Sequence, residues 1–355
     1  MLQRIFGMLT HDLGLDLGTA NTSVYVSGKG VVIREPTVVS RHKKSKVVIS
    51  MGTEAKKMIG KTPAMIEAVR PVVSGVIADF DAAEAMVGAY FKQVHNEGGV
   101  IPKVPRPRVV VAIPSGVTDV ERRAVTDVVA SAGARKVYLV EQPMAAAIGA
   151  GLSVEDSSGI LIVSIGAGRS EVAVISLGGI VIHRSIKTAG ETMDHAIVNY
   201  LRLKHALLLG DQTAEELKVK LGGGSDEEEK EGGRGRGGVM IVRGRSLETG
   251  LPASIKVTEA EIREAIAPVV HEIISSIVGL IEDTPPELVT DIVEKGVVLC
   301  GGVARLPGLD KIIADEVKLP TWVAEDPQTC VVRGCGKAWD DEKLLEKIRV
   351  TGGLR

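Results

Sequence analysis

The chain has 355 residues, 45% of them hydrophobic and 25% charged, and a formal net charge of -2 at pH 7. That length allows two domains of ordinary size, and an aromatic content of 3% makes their cores aliphatic. With no excess cation to neutralise a phosphate backbone and few rings on which bases could stack, nucleic acid is excluded as a partner.

The first ten residues, "MLQRIFGMLT", place Leu2, Ile5, Phe6 and Leu9 at helical spacing, with Gln3, Arg4 and Thr10 on the other side. This suits a short helix lying in a membrane interface, and equally a terminus docked on its own domain. No cleavable secretory pattern and no long uninterrupted apolar span are expected. Next, "LDLGTANTS" breaks an apolar strand with Asp16 and turns through Gly18, Thr19, Ala20 and Asn21. A turn of small residues exposes backbone N–H groups to an oxyanion, and a carboxylate beside it suits hydrated Mg²⁺, so the first expectation is a nucleotide. An ordinary hairpin with a solvated aspartate reads the same way.

After a β-rich meander, "TDVERRAVTDVVASAGA" opens with a capping box, Thr118 and Glu121, and runs Val120, Ala124, Val128 and Ala132 along one expected apolar face. "KVYLVEQPMAAAIGAG" is a strand leading through Glu141, Gln142 and Pro143 into a small-residue helix, a join that places polar side chains beside phosphates. Residues 160–182, "ILIVSIGAGRSEVAVISLGGIVI", repeat the opening unit: Gly166 superposes on Gly18, Ser164 on Asp16, and Gly178-Gly179 falls near Gly28-Lys29-Gly30. A strand-turn-strand unit in each half predicts two related domains facing one ligand, with chance likeness between β-rich segments as the alternative.

Further on, "TAEELKVKLG" puts Glu215, Glu216 and Lys218 on a helix, where a carboxylate can accept from ribose hydroxyls and a lysine stem can lie along a base. Residues 222–238, "GGGSDEEEKEGGRGRGG", hold nothing apolar and read as a mobile, solvated loop. "TEAEIREAIAPVVHEIISSIVGLIED" repeats the capping device with Thr258 and Glu261 and buries Ile262, Ile266, Val269, Ile273, Ile277 and Ile281, while Pro268 should kink or divide it. "GVVLCGGVARLPGLD" is a buried strand ending in Gly301-Gly302, where bare backbone lets adenosine approach. Three cysteines and seven histidines show no metal-ligand spacing, and a reducing cytosol is the default compartment. Strands alternating with helices make the class α/β.

Taken in order, these stretches resemble the superfamily of actin, sugar kinases and DnaK-type chaperones, and within it the MreB family of bacterial actin homologues. The likeness is carried nearly end to end by "DLGTANTSVYVSGKGVVIREP", "EAKKMIGKTPAMIEAVRP", "GVIADF", "VTDVERRAV", "QPMAAAIGAG", "EVAVISLG" and "DTPPELVTDIVEKGV". It implies an actin-like ATPase fold in which two related domains, each with a smaller subdomain, bind ATP and Mg²⁺ in the cleft between them. The implied boundaries are 1–35, 71–150 and 322–355 for the first core, 36–70 for its subdomain, 151–190 and 255–321 for the second core, and 191–254 for its subdomain. By position, Asp16, Gly18, Thr19, Ala20 and Asn21 form the first phosphate loop, with Asp16 toward the metal. Gly166, Ala167, Gly168 and Arg169 form the second. Glu215, Glu216, Leu217 and Lys218 meet the nucleoside, with Gly301, Gly302, Val303 and Ala304 on its other side. Asp16, Glu141 and Gln142 stand at the reacting end.

The resemblance further implies antiparallel double protofilaments, attachment to the inner face of the cytoplasmic membrane through residues 1–10 and the Val100-Ile101 pair, and partnership with membrane proteins of wall synthesis, so that the filament sets cell shape. The chain departs from the family where the second loop usually begins with Asp and continues Gly-Gly-Gly-Thr-Thr: here stand Ser164, Ala167, Arg169 and Ser170. Ser164 removes one carboxylate from the metal, Arg169 adds a cation where phosphates are expected, and Gln142 replaces a usual Glu, so hydrolysis is expected to be impaired. Val303 and Arg305 interrupt a stretch normally richer in glycine. At most a slow ATPase is expected. A hydrolysis-deficient paralogue that copolymerises with a competent relative is the alternative. A sugar kinase would need a base over a sugar pocket, and a DnaK-type chaperone a substrate-binding domain after the ATPase core; neither is marked.

Overall fold

The computed structural model describes residues 11–96, 106–222 and 238–350. The expectations for residues 1–10, for Val100-Ile101 and for nearly all of the 222–238 loop therefore lie outside the described residues.

The first half opens as a meander, β1 (Leu13–Leu17), β2 (Asn21–Val26) and β3 (Gly30–Pro36). A small three-stranded sheet follows, β4 (Val39–His42), β5 (Val48–Met51) and β6 (Ile66–Val69), then a tight pair, β7 (Val72–Val73) and β8 (Val76–Ile77). Strands β9 (Arg108–Ile113) and β10 (Lys136–Glu141) return to the first sheet in parallel, which gives the order β10-β9-β1-β2-β3.

The second half repeats the plan. A meander of β11 (Ile160–Ile165), β12 (Ser170–Ser176) and β13 (Gly179–Ile186) is followed by a small sheet of β14 (Leu207–Leu208), β15 (Val239–Ser246) and β16 (Pro252–Thr258). Parallel strands β17 (Val297–Cys300) and β18 (Thr321–Val323) complete the order β13-β12-β11-β17-β18. Reversed, this is the order of the first sheet, so the duplicated hairpin belongs to a duplicated sheet. Strand β18 runs to Val323, two residues past the boundary expected at 321.

Strands β11 and β12 are buried along their whole length, as in strands covered on both faces, with Ser164 and Glu171 as polar interruptions of largely aliphatic segments, whereas edge strand β13 alternates. Helices Gln142–Gly149 and Cys330–Lys337 lie in one core with both sheets, alongside Val110, Ile162, Ala173 and Val298. They touch backbone to backbone. A Cβ on Gly334 would lie 1.7 Å from the Ala145 carbonyl oxygen, and one on Gly149 at the same distance from that of Cys330. This contact fixes the two halves against each other and hence the facing of their hairpins.

Both capping boxes form, at Thr118 with Glu121 and at Thr258 with Glu261. The buried face of the Asp119–Ser131 helix is Val125, Val128 and Val129 in place of the expected stripe, because Val120 falls in the first turn and is 79% exposed. Glu259–Glu282 is one continuous helix and is not divided at Pro268. Pro268 and Glu264, whose carbonyl it leaves without a helical donor, are both exposed, so water can replace the missing bond. This helix is apolar and long enough to cross a membrane by composition, contrary to the expected absence of such a span, yet Ile262, Ile266, Val269, Ile273 and Ile277 are buried in the core of the second half.

Candidate functional site

The two hairpin turns meet at the floor of a cleft between the halves. Asp16, Gly18, Thr19, Ala20 and Asn21 line it from one side, and Gly166, Ala167, Gly168 and Arg169 from the other. Thr19 Oγ1 accepts from the Gly75 amide at 2.9 Å. A Cβ on Gly168 would stand 2.5 Å from that hydroxyl and 2.8 Å from Ser74 Cα, so the turns approach closely only because position 168 is bare.

Two carbonyls of each turn are engaged. Gly18 O accepts from Thr37 Oγ1 at 2.6 Å and Ala20 O from the Thr37 amide at 2.9 Å. Gly166 O and Ala167 O accept from the Gly190 and Glu191 amides that begin the Gly190–His205 helix, at 3.1 and 2.7 Å. The Gly166 amide is spent within its turn on the Arg169 carbonyl at 3.0 Å, and the remaining N–H groups of the two turns have the chemistry of an anion cradle.

Gln142, Glu215, Lys218, Gly301, Gly302 and Val303 also line the cleft. Glu215 and Lys218 are three residues apart on the Asp211–Leu221 helix and share a face. Leu217 points instead into the core, fully buried, and Ala304 is likewise packed there. Glu216 lines a neighbouring groove with Thr53, Lys57 and Lys220. Glu141 ends β10 and does not line the cleft with Gln142, although its charge opposes that of Glu171. The Lys218 ammonium is drawn inward to the Gly190 carbonyl at 2.9 Å and to Asp194 at 2.8 Å, which leaves its stem along the cleft. Burial raises the Asp194 carboxyl to about 6 even beside that ammonium. Gly301 takes φ +89°, and a Cβ there would meet Ile165 O at 2.3 Å, so glycine is required where the cleft wall is barest.

Register exposes a relation that residue order alone concealed. Asp16 pairs with Ser23, and Ser164 with Glu171, so each hairpin carries one carboxylate and one serine with their strands exchanged. Asp16 is raised to about 7 by burial. Glu171 is also raised to about 7 by burial, against the opposing pull of the Ser115 amide at 2.8 Å, of Arg169, and of the Ser185 hydroxyl at 3.2 Å. Sequence reasoning missed Glu171; counting back across the "SIGAGRSE" hairpin would have placed it opposite Ser164. Ser164 Oγ is buried without a hydrogen-bond partner.

Arg169 was expected among the phosphates. Its Nε donates instead to the Ser74 carbonyl at 3.1 Å and its Nη1 to Ser185 Oγ at 3.0 Å, so the guanidinium ties the second hairpin to the β7–β8 turn of the first half. For a divalent cation the donor set is thin: among the described residues no group of three or more His, Cys, Asp or Glu is placed to hold one. Asp16 alone fits, which is the minimum for Mg²⁺ that keeps its waters and takes its other ligands from phosphate.

Lys56, on the Gly52–Met58 helix, pairs with Glu215 at 2.7 Å, and Gln212 Nε2 donates to the Lys56 carbonyl at 2.6 Å, so that helix meets the Asp211–Leu221 helix across the cleft.

Comparison with known proteins gives a single answer. A family model described as MreB/Mbl protein matches residues 10–347. The cell shape-determining protein MreB of Escherichia coli K12 is 45% identical over 357 aligned positions, covering 99% of this chain and 98% of the relative. The crystal structure of MreB5 of Spiroplasma citri bound to AMPPNP superposes with a TM-score of 0.85 at 37% identity, covering 95% of this chain and 97% of that one. A MamK double helical filament subunit, at 20% identity and a TM-score of 0.76 over 94% of this chain and 99% of its own, shares the fold.

Proposed function

The chain belongs to the MreB/Mbl family, and from that premise we propose that it is a nucleotide-binding subunit of an actin-like filament that determines cell shape. One observation carries the proposal: the same sheet is built twice, and its two glycine turns face each other across a cleft lined also by Glu215, Lys218, Gly301 and Gly302. AMPPNP and ADP occupy crystal structures of MreB5, and a nucleoside polyphosphate suits a cleft whose turns offer N–H groups. The two five-stranded and two three-stranded sheets are read as two cores and two subdomains along the boundaries given above, with 322–323 moved to the second core.

In this reading the turns at 18–21 and 166–168 hold the phosphates, Glu215 accepts from the ribose, the Lys218 stem lies under the base, and Gly301-Gly302 admit the nucleoside on its other side. Hydrated Mg²⁺ would neutralise the phosphates, with Asp16 as its one protein carboxylate. Gln142 orients a water without acting as a base. With Ser164 opposite Glu171 and that glutamate already bonded to Ser115 and Ser185, ATP turnover is slow, and filament assembly responds to occupancy more than to hydrolysis. We place the filaments as antiparallel pairs on the cytoplasmic face of the inner membrane, attached through residues 1–10 and Val100-Ile101, where they organise membrane proteins of wall synthesis.

Pelleting on liposomes, with and without residues 1–10, in ATP, in AMPPNP and without nucleotide, tests assembly and attachment together. Nucleotide-dependent pelleting that needs residues 1–10, with paired filaments by electron microscopy, is expected. Absence of filaments in every condition favours the copolymerising paralogue. ATP turnover at the rate of the Escherichia coli relative, with no acceleration on Ser164→Asp, refutes the slow-hydrolysis reading.

A further inference from the structure

One cation lining the cleft has no part in this account. Arg34 on β3 pairs in register with Ser23, and Ser23 with Asp16, so the three form one row across a face of the first sheet, and that row lines the cleft. At the spacing of adjacent strands, Arg34 stands about 10 Å from Asp16. The small, buried Ser23 between them leaves the arginine stem room to lean toward the phosphate turn.

What holds Arg34 is a neutral amide. Its Nη2 donates to Gln328 Oε1, which also accepts from Arg305 Nη1 at 3.2 Å. Guanidinium groups only donate, so the amide must turn its oxygen to the arginines and its NH₂ the other way. Gln328 Nε2 lies 3.8 Å from where a Gly302 Cβ would be, so that NH₂ faces the glycine pair. The wall between the first sheet and Gly301-Gly302 therefore presents donors. The other two cations of the cleft are committed, Lys218 to Asp194 and Arg169 to Ser74 and Ser185. Arg34, bonded to an uncharged partner, has no carboxylate paired with it among the described residues, in a cleft whose second hairpin offers Ser164 where its counterpart offers Asp16.

We propose that Arg34, positioned by Gln328 and Arg305, binds the polyphosphate directly and supplies positive charge that a divalent ion would otherwise bring, so that this chain holds nucleotide with little dependence on magnesium. The inference rests on the nucleotide reading of the cleft and goes beyond it by naming the residue and the ion dependence.

The test is titration of a fluorescent ADP analogue into the full chain, in millimolar magnesium and in EDTA, for the natural protein, Arg34→Gln and Arg34→Lys. The natural protein should lose less than about threefold in affinity in EDTA. Arg34→Gln should lose about ten- to a hundredfold there, the range of one charge-assisted hydrogen bond, and recover most of it in magnesium. Arg34→Lys should fall between, since it keeps the charge and loses the fork. Arg34 is exposed on the sheet surface, so unchanged melting of the variants separates a binding loss from misfolding. Collapse of natural-protein binding in EDTA, or an Arg34→Gln affinity unchanged in both buffers, overturns the proposal. No binding by the natural protein in either buffer overturns the nucleotide reading itself, and this inference with it.

Discussion

Asp16→Asn should stabilise the nucleotide-free protein, and by an amount that grows with pH. Burial lifts the Asp16 carboxyl from 3.8 to about 7. Below the lower value both folded and unfolded chains hold the proton and the residue has no effect. As pH climbs through the window, the unfolded carboxylate ionises freely while the folded one resists, so stability is lost from about pH 4 to about pH 7 and then levels off. At about 1.4 kcal/mol per pH unit, that window sets a ceiling of about 4 kcal/mol. Water reaching a partly exposed side chain brings the expected figure to about 2 kcal/mol, or roughly 4 °C in melting temperature. Melting of the nucleotide-free natural protein and Asp16→Asn at pH 5 and pH 8 checks this: the asparagine variant should melt higher at both, with less than half of the gain present at pH 5. Parallel pH dependence in the two proteins would refute the reasoning, because it would mean that the carboxylate is as well solvated in the folded chain as in the unfolded one. Adding ADP and magnesium should then reverse the order, since only the natural protein offers a carboxylate to the ion.

Gly334→Ala forces a methyl into the Ala145 carbonyl and must part the two central helices, so it should cost at least about 3 kcal/mol; a melting point within about a degree of the natural protein's would show that the halves are not fixed at that contact. Arg169→Ala removes the tie from the second hairpin to Ser74, and amide exchange in the β7–β8 turn should accelerate; unchanged protection there would mean that the turn is held by Thr19 alone. Pro268→Ala restores a helical donor on an exposed face of the Glu259–Glu282 helix and should raise stability by about 1 kcal/mol, read by chemical denaturation. A loss of stability would show that the proline ring itself is needed for packing.

Local chemistry made much of this legible. The capping pairs Thr118 with Glu121 and Thr258 with Glu261 act within one turn, and both form as the spacing predicts. The likeness of residues 13–30 and 160–179 reports a repeated sheet because each segment forms the same antiparallel hairpin within a five-stranded sheet of the same order. What residue order could not supply was direction. Four consecutive positions, 215 to 218, were grouped as one binding stretch, but a helix turns about 100° per residue, so Glu215 and Lys218 reach the cleft while Leu217 enters the core. Val120 fell to the same geometry. The destination of the Arg169 guanidinium depended on a carbonyl at Ser74, nearly a hundred residues away, and no local pattern announces such a partner.

The two hairpins have the same fold and opposite electrostatic assignments. On the first sheet the row runs from Ala112 on β9 through Asp16 and Ser23 to Arg34 on the edge strand, so a serine separates its two charges. On the second it runs Ser164, Glu171, Ser185, with its carboxylate in the middle, where a backbone amide from the other half and a neighbouring hydroxyl can both reach it. Asp16 and Arg34 line the cleft, whereas Glu171 is taken up by the Ser115 amide and the Ser185 hydroxyl. The division of labour follows: the first half presents charge to the cleft, while the second contributes Arg169 and Glu171 to joining the halves. A ligand gripped by the first row and the glycine turns therefore acts on a cleft whose floor is already tied. On the proposed reading, nucleotide would act on the contacts above that floor, Lys56 with Glu215, Gln212 with the Lys56 carbonyl and Arg70 with Glu191, and through them occupancy would alter the shape that one subunit offers to the next.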